Sequence, residues 1–360
     1  MKKHNFGAGP AILPQDVFER AAQAVRDFDD SGLSLLEISH RSPSFQAVMD
    51  KAQNLVRELF NLEEDWHVLF LQGGASTQFC MVPYNLLPEG GKAAYTNTGT
   101  WAKKAIKEAK HFGSVDVVSD SSAENFTHIE KDFEVPADAA YLHITTNNTI
   151  FGNQWAQMPS SNVPLVADMS SDLFSRQLDA NAFDLIYAGA QKNLGAAGTT
   201  LVCVRDRMLG KAGREIPTML DYRTHVEKGS MFNTPPVFAI YTCMLNMEWI
   251  VENGGLAAIE EVNNAKAARL YKEIDENPLF KGTVAVEDRS RMNVTFIMND
   301  RDKEASFLKF AEERNCVGLK GHRSVGGFRA SIYNALTLES VEHLCSVMQE
   351  FATVEESVNA

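Results

Sequence analysis

The stretch "DLIYAGAQKNLGAAGTTLVCVR", residues 184–205, holds two apolar runs joined by a corner of small residues. Runs 184–190 and 199–205 are apolar at consecutive positions, as in strands buried on both faces of a mostly parallel sheet. The gap between them is too short for a crossover helix, so this pair is expected to be antiparallel, an exception within that sheet. Lys192 stands alone in the corner, among Ala, Gly, Gln and Asn. A single lysine between strands is most often a solvated turn residue, yet this corner has the composition of a tight, water-poor approach.

Outward from this corner, helices and strands alternate. "LPQDVFERAAQAVRDF" (13–28) predicts a helix with Phe18, Ala22 and Val25 on one face. Residues 42–62 repeat the pattern with Phe45, Val48, Ala52, Leu55 and Leu59. Short apolar runs at 67–71, 139–144 and 163–168 join the two at 184–205 and complete an α/β reading, a sheet covered by helices on both faces. Beyond residue 250, one long helical stretch (248–277) leads to a strand at 292–299. A helix at 304–315, "CVGL", a strand "GFRASIYN" and a last helix follow, a β-α-β-β-α order that predicts a smaller α+β unit.

Of the 360 residues, 44% are hydrophobic and 22% charged, as in an ordinary globular protein. The net charge of −13 argues against a general nucleic-acid or anionic-membrane binder. No apolar run approaches the roughly 20 residues of a membrane span, and Gly, Pro and Asn interrupt the N-terminal stretch where a signal peptide would need an apolar core. Five scattered cysteines (Cys80, Cys203, Cys243, Cys316, Cys345) without a CxxC pair suit a reducing, cytoplasmic location, and no metal site is expected.

Asp168 ends the run "VPLVAD", and the ends of parallel strands are where α/β proteins build sites. A carboxylate and a lysine on neighbouring strand ends suit pyridoxal phosphate: the amine forms a Schiff base with its aldehyde, and the acid keeps the pyridine nitrogen protonated. The plainer role for Asp168 is a helix N-cap for "MSSDLF", and the two are compatible. "VLFLQGGASTQF" (68–79) offers a strand, a Gly73-Gly74 turn and a helix start at Ala75-Ser76-Thr77, a place for a phosphate. It is no nucleotide P-loop, since no GK[ST] follows, and "FGAGP" (6–10) lacks the strand and third glycine of a dinucleotide site. Trp101, at the start of a further helix, could stack on a flat ring or simply pack in the core. His40-Arg41 and His322-Arg323, with Arg329 close behind, lie in Ser/Gly-rich loops and look like recognition of an anion, for which Arg is the geometric match.

These segments, with "EISHRS", "NTPPVFAIY" (233–241) and above all "GLKGHRSVGGFRASIYNA" (318–335), resemble the phosphoserine aminotransferases, within the class-V pyridoxal phosphate-dependent aminotransferases. The likeness runs from "NFGAGPA" to the last helix. It implies a fold-type I transferase acting as a homodimer with active sites at the interface. An N-terminal segment (1–15) would lie near the site, followed by a large cofactor-binding domain (16–255) and a small C-terminal domain (256–360). The implied reaction passes the amino group of L-glutamate to 3-phosphohydroxypyruvate by a ping-pong mechanism in serine biosynthesis, and could extend to 4-phosphohydroxythreonine in pyridoxine biosynthesis. Lys192 would bind the cofactor aldehyde, Asp168 the pyridine nitrogen, Trp101 the ring face and Thr149 the ring hydroxyl. Ala75, Ser76 and Gln191 would hold the cofactor phosphate, completed by Asn233 and Thr234 of the partner subunit. Arg329 would take the substrate α-carboxylate, with His40, Arg41, His322 and Arg323 around the distal group.

Some members carry an arginine in the cup where this chain reads Gly-Ala-Ser-Thr, which shifts the load onto the two His-Arg pairs. The competing readings are a serine– or alanine–glyoxylate aminotransferase, which needs no such pairs, and a non-catalytic pyridoxal phosphate-binding protein. A desulfurase would need a cysteine on a mobile loop, whereas Cys316 precedes a strand-like run.

Overall fold

The computed structural model describes residues 3–359. The chain opens with a short strand β1 (His4–Asn5) and helices α1 (Gln15–Arg26) and α2 (Pro43–Phe60). Then strands and helices alternate: β2 (Trp66–Leu71), α3 (Gly74–Leu86), β3 (Lys92–Asn97), α4 (Thr100–Ala109) and β4 (Ser114–Asp120). Four strands follow without an intervening α-helix: β5 (Ala139–Thr145), β6 (Leu165–Asp168), β7 (Leu185–Gly189) and β8 (Thr200–Arg205).

These strands form a seven-stranded sheet in the order β2-β8-β7-β6-β5-β3-β4. β7, β6, β5, β3 and β4 pair in parallel, and β8 runs antiparallel to both of its neighbours. The exception read from the short corner at 191–198 is therefore present. Alternate residues of one strand enter different cores: Ile186 and Ala188 face one layer, Leu185 and Tyr187 the other. Both faces of the sheet are thus covered at its centre, which is why its central strands are mostly apolar.

α1, α2 and α6 (Val237–Glu252) belong to the first layer, α3 and α4 to the second, and a short α5 (Tyr222–Glu227) precedes α6. On α1 the buried stripe is Val17, Ala21 and Ala24, and Phe18 stays 46% exposed. The predicted Phe18 stripe is off by one position: both sets have helical spacing, and the small alanines let α1 lie close against α6. The α2 face is placed as read, with Leu59 at its half-buried margin. The segment 169–174 is a turn and not the helix that Asp168 was expected to cap. β3 and β4 were not foreseen, because "KAAYTN" and "SVDVVSD" mix charge and hydroxyls into their pattern.

The helical stretch at 248–277 is two helices. Gly254 and Gly255 have φ of 93° and 70°, a left-handed turn that ends α6 and begins α7 (Gly255–Glu276). The rest comprises β9 (Phe280–Gly282), β10 (Asn293–Met298), α8 (Glu304–Glu313), β11 (Cys316–Val317), β12 (Phe328–Ser331) and α9 (Leu338–Asn359). Its sheet is antiparallel, in the order β12-β10-β9, over its own core. The "CVGL" strand, β11, does not join that sheet but pairs in parallel with β1, so Phe6 is buried in the C-terminal core.

Lys266 of α7 is fully buried and donates from Nζ to the carbonyls of Ile332 (2.9 Å), Tyr333 (2.7 Å) and Leu336 (2.9 Å). Burial alone pushes its pKa down to about 7, and the three carbonyls oppose that by holding the ammonium.

The corner carrying Lys192 is fastened to α6. Asn246 donates to the carbonyls of Asn193 (2.8 Å) and Leu194 (3.0 Å). At Gly195 a Cβ would lie 2.7 Å from the Cys243 sulfur and 3.0 Å from its backbone, so only glycine permits this approach. Gly195→Ala is expected to cost about 1–3 kcal/mol through overpacking, read as a lower midpoint in denaturant unfolding.

Candidate active site

Three strand ends supply the floor of a cleft. β6 ends at Asp168, which lies in register with Thr145 of β5 on one side and Tyr187 of β7 on the other. β7 ends at Gly189, three residues before Lys192. The cleft, partly open to solvent, offers about 520 Å³ of space and is lined by Gly74, Ala75, Ser76 and Trp101 on one side. Thr145, Asn147, Asp168, Ser170, Ser171, Gln191 and Lys192 complete it. Six residues expected from the sequence (Ala75, Ser76, Trp101, Asp168, Gln191 and Lys192) therefore meet in one place.

Lys192 makes no ion pair with Asp168; its Nζ donates to Thr149 Oγ1 at 2.6 Å and lies 5.7 Å from the centroid of the Trp101 ring. Burial lowers its pKa from 10.5 to about 8, with Asp168 and Asp172 opposing the shift and Arg329 adding to it. Asp168 is also buried, which raises its pKa, while the Ser170 hydroxyl (2.6 Å), the charge of Lys192 and the Ser170 amide (2.9 Å) draw it back down. Arg329, on β12, donates from Nη1 to the Thr149 carbonyl at 3.1 Å. Thr149 thus holds both cations, one by its hydroxyl and one by its main chain.

At the front of α3, Gly73 has φ 90° and Gly74 φ 66°, and the first amides of the helix have no preceding carbonyl to bond. With the Ser76 hydroxyl they make an anion cup. His322 is half-buried, and its pKa is held down by burial, then by the charges of Arg329, Arg323 and Lys104. Most arginines elsewhere in this chain pair with acids, as Arg205 does with Glu63 and Asp65 and Arg314 with Glu350, while Arg57 and Arg214 donate to backbone carbonyls. Among the described residues no carboxylate lies within 4.0 Å of His322, Arg323 or Arg329.

Within one chain the structure does not bring every expected residue into this cleft. His40 and Arg41 sit in an outlying loop, where the Arg41 guanidinium donates to the His40 ring at 3.3 Å. Asn233 and Thr234 lie behind the cup: Gln72 donates to the Thr234 carbonyl at 2.8 Å, and Asn233 shares a separate pocket with Gln72 and Gly73.

The sequence reading missed the polar scaffold. Asn147 donates to Ser171 and to Asn293 (both 2.8 Å), Asn293 to Ser331 (2.9 Å) and Tyr333 (3.1 Å), and the Tyr333 hydroxyl to the Ala8 carbonyl (2.8 Å). Asp172, two residues beyond Ser170, accepts from Thr146 (2.5 Å) and Gln154 (3.1 Å) beneath the site. The string "TTNNT" was the available signal: a run of amides and hydroxyls directly after an apolar strand.

The model of the class-V aminotransferases matches residues 3–344. A phosphoserine aminotransferase of Flavobacterium psychrophilum is 60% identical over 351 residues, covering 97% of this chain and 99% of the relative. The chain belongs to the phosphoserine aminotransferase branch of the class-V aminotransferases. The solved phosphoserine aminotransferase of Bacillus circulans subsp. alkalophilus superimposes with a TM-score of 0.96 at 46% identity, over 98% of this chain and 99% of that one. A pyridoxal phosphate-bound phosphoserine aminotransferase of Trichomonas vaginalis gives 0.92 at 38% identity, over 97% and 100%.

Members of this family depend on pyridoxal phosphate, and the cleft fits it. The hydroxyl of Thr145 and the Nε1 of Trp101, both at the cleft, are buried without a partner, as expected where a polar ring is to be enclosed. The donor set matches too: amides and a hydroxyl for phosphate, a carboxylate for a ring nitrogen, an amine for an aldehyde.

In the cofactor-free protein, acylation of Lys192 is expected to rise through a midpoint near pH 8 instead of 10.5, measured by peptide mass spectrometry. The unfolded chain holds this proton more tightly, so Lys192 opposes folding below pH 8 and that penalty fades between about 8 and 10.5.

Proposed function

We propose that the chain transfers the amino group of L-glutamate to 3-phosphohydroxypyruvate, giving O-phospho-L-serine and 2-oxoglutarate, in cytoplasmic serine biosynthesis. The observation that carries this reading is the carboxylate-free group of His322, Arg323 and Arg329 beside the Lys192–Asp168 cleft, in a protein of net charge −13. A glyoxylate-using enzyme has no use for a distal cation cluster. The cytoplasmic placement rests on five free cysteines.

Bound pyridoxal phosphate supplies an aldehyde for the amino group and a ring that accepts the electron pair released at Cα. Gln191, Ser76 and the first amides of α3 would hold its phosphate, and Trp101 would cover one face of its ring. Asp168 would pair with the ring nitrogen and keep a proton there. Lys192 Nζ, its affinity for protons lowered by burial, takes the proton from the Cα of the amino donor; Thr149 keeps that amine pointed into the cleft. Arg329 binds the α-carboxylate of donor and acceptor in turn, and the same residues then aminate the oxo acid. His322 and Arg323 receive the distal anion.

A second copy of the chain supplies His40, Arg41, Asn233 and Thr234. The support is that both segments carry exposed apolar side chains: Leu33 (49%) and Leu36 (63%) near the first, Met219 (43%) and Phe232 (39%) near the second.

Lys192→Ala is expected to abolish transamination, and normal turnover in that variant would overturn the assignment. Arg329→Leu is expected to lower kcat/KM for both substrates by 100-fold or more, at about 1.4 kcal/mol per factor of ten. Mixing inactive Lys192→Ala and Arg41→Ala chains under exchange should recover roughly a quarter of wild-type activity if sites are shared across a twofold dimer. No recovery would mean that each chain builds its site alone.

A further inference from the structure

Lys104 lies one helical turn beyond Trp101 on α4 and is exposed. Its Nζ sits 4.3 Å from the centroid of the Trp101 ring, so the side chain is drawn toward the cleft wall by the aromatic face. No carboxylate lies within 4.0 Å of it among the described residues. Its neighbour Lys103 contrasts with it, because that charge acts on Asp120. Lys104 instead acts on His322: with Arg329 and Arg323, it is one of the charges that disfavour protonation of that ring.

A further cation added to those already acting on His322 is unfavourable in the free protein. The arrangement gains its stability when a multiply charged anion enters. A phosphate monoester carries nearly two charges at neutral pH and has three strongly accepting oxygens, so it rewards an added cation more than a carboxylate does.

We propose that Lys104 is a specificity-determining residue that binds the distal phosphate of the oxo-acid substrate and selects it over the unphosphorylated analogue. This inference rests on the phosphorylated-acceptor reading above. The ammonium lies over the Trp101 ring at the cleft wall and shares the phosphate with His322 and Arg323. "WAKKAIKEAK" spreads lysines along a helix as a solvated face would, so nothing in its pattern marks Lys104 out.

The test compares kcat/KM for 3-phosphohydroxypyruvate and 3-hydroxypyruvate, with glutamate as donor, in the pyridoxal phosphate-loaded wild type, Lys104→Gln and Lys104→Arg. Lys104→Gln is expected to lower the value for the phosphorylated acceptor by about tenfold or more, mainly through KM, with a much smaller change for the unphosphorylated one. Lys104→Arg, which keeps the charge, should stay within a few-fold of wild type. The inference is overturned if Lys104→Gln keeps the wild-type preference, or if both acceptors lose equally, which would place the effect in Trp101. A wild type that shows no preference for the phosphorylated acceptor would instead overturn the functional reading itself.

Discussion

The structure turns on keeping one lysine dry without neutralising it. Lys192 is enclosed at the ends of the central strands, yet its Nζ has a single hydroxyl partner and no direct acid. Lys266 shows the other solution: equally buried, it is saturated by three carbonyls and serves only to tie α7 to the segment after β12. The difference in partners leaves one amine available in the cleft and fixes the other in place. Asp168 is set apart from Lys192, so the space between them is free for a flat ring, and the glycine at 195 and the asparagine at 246 keep the corner in place.

The second constraint is polar. Asn147, Asn293 and Tyr333 form a buried chain of hydrogen bonds from the turn after Asp168 to the strands of the smaller sheet and on to Ala8. Each of these groups would be costly if left unpaired, so the relative placement of the two sheets is specified tightly. Arg329 on β12 is thereby held in register with Thr149 and Lys192, although about 140 residues of sequence separate the two cations.

Much of the site was legible because its chemistry needs unusual residues in unusual places. A lysine in a small-residue corner, an acid ending an apolar strand and a Gly-Gly before a helix each stand out from their surroundings. The fold class was equally readable from strands apolar on both faces. What stayed hidden depends on packing partners. The α1 stripe could not be told from its neighbour by period alone, and the charged edge strand β4 does not look buried because only Ser119 of it is. Lys104 and Asp172 are ordinary residues on paper; only the fold shows which charges they face. His40, Arg41, Asn233 and Thr234 lie away from the cleft within one chain, which the sequence pattern could not reveal.

The pairing of β1 with β11 joins residues near opposite ends of the chain. During synthesis the first residues emerge hundreds of positions before their strand partner, and Phe6 has no core to enter until Phe328 and the last helix exist. The large sheet can assemble behind the ribosome as it is made, whereas the leading segment must wait as an unattached apolar tail. The docking of Ala8 against Tyr333, beside Lys192, therefore makes the amino terminus one of the last parts of the site to arrive. A product that stops before β11 and the last helix therefore presents the large sheet without the packing partners of β1 and Phe6.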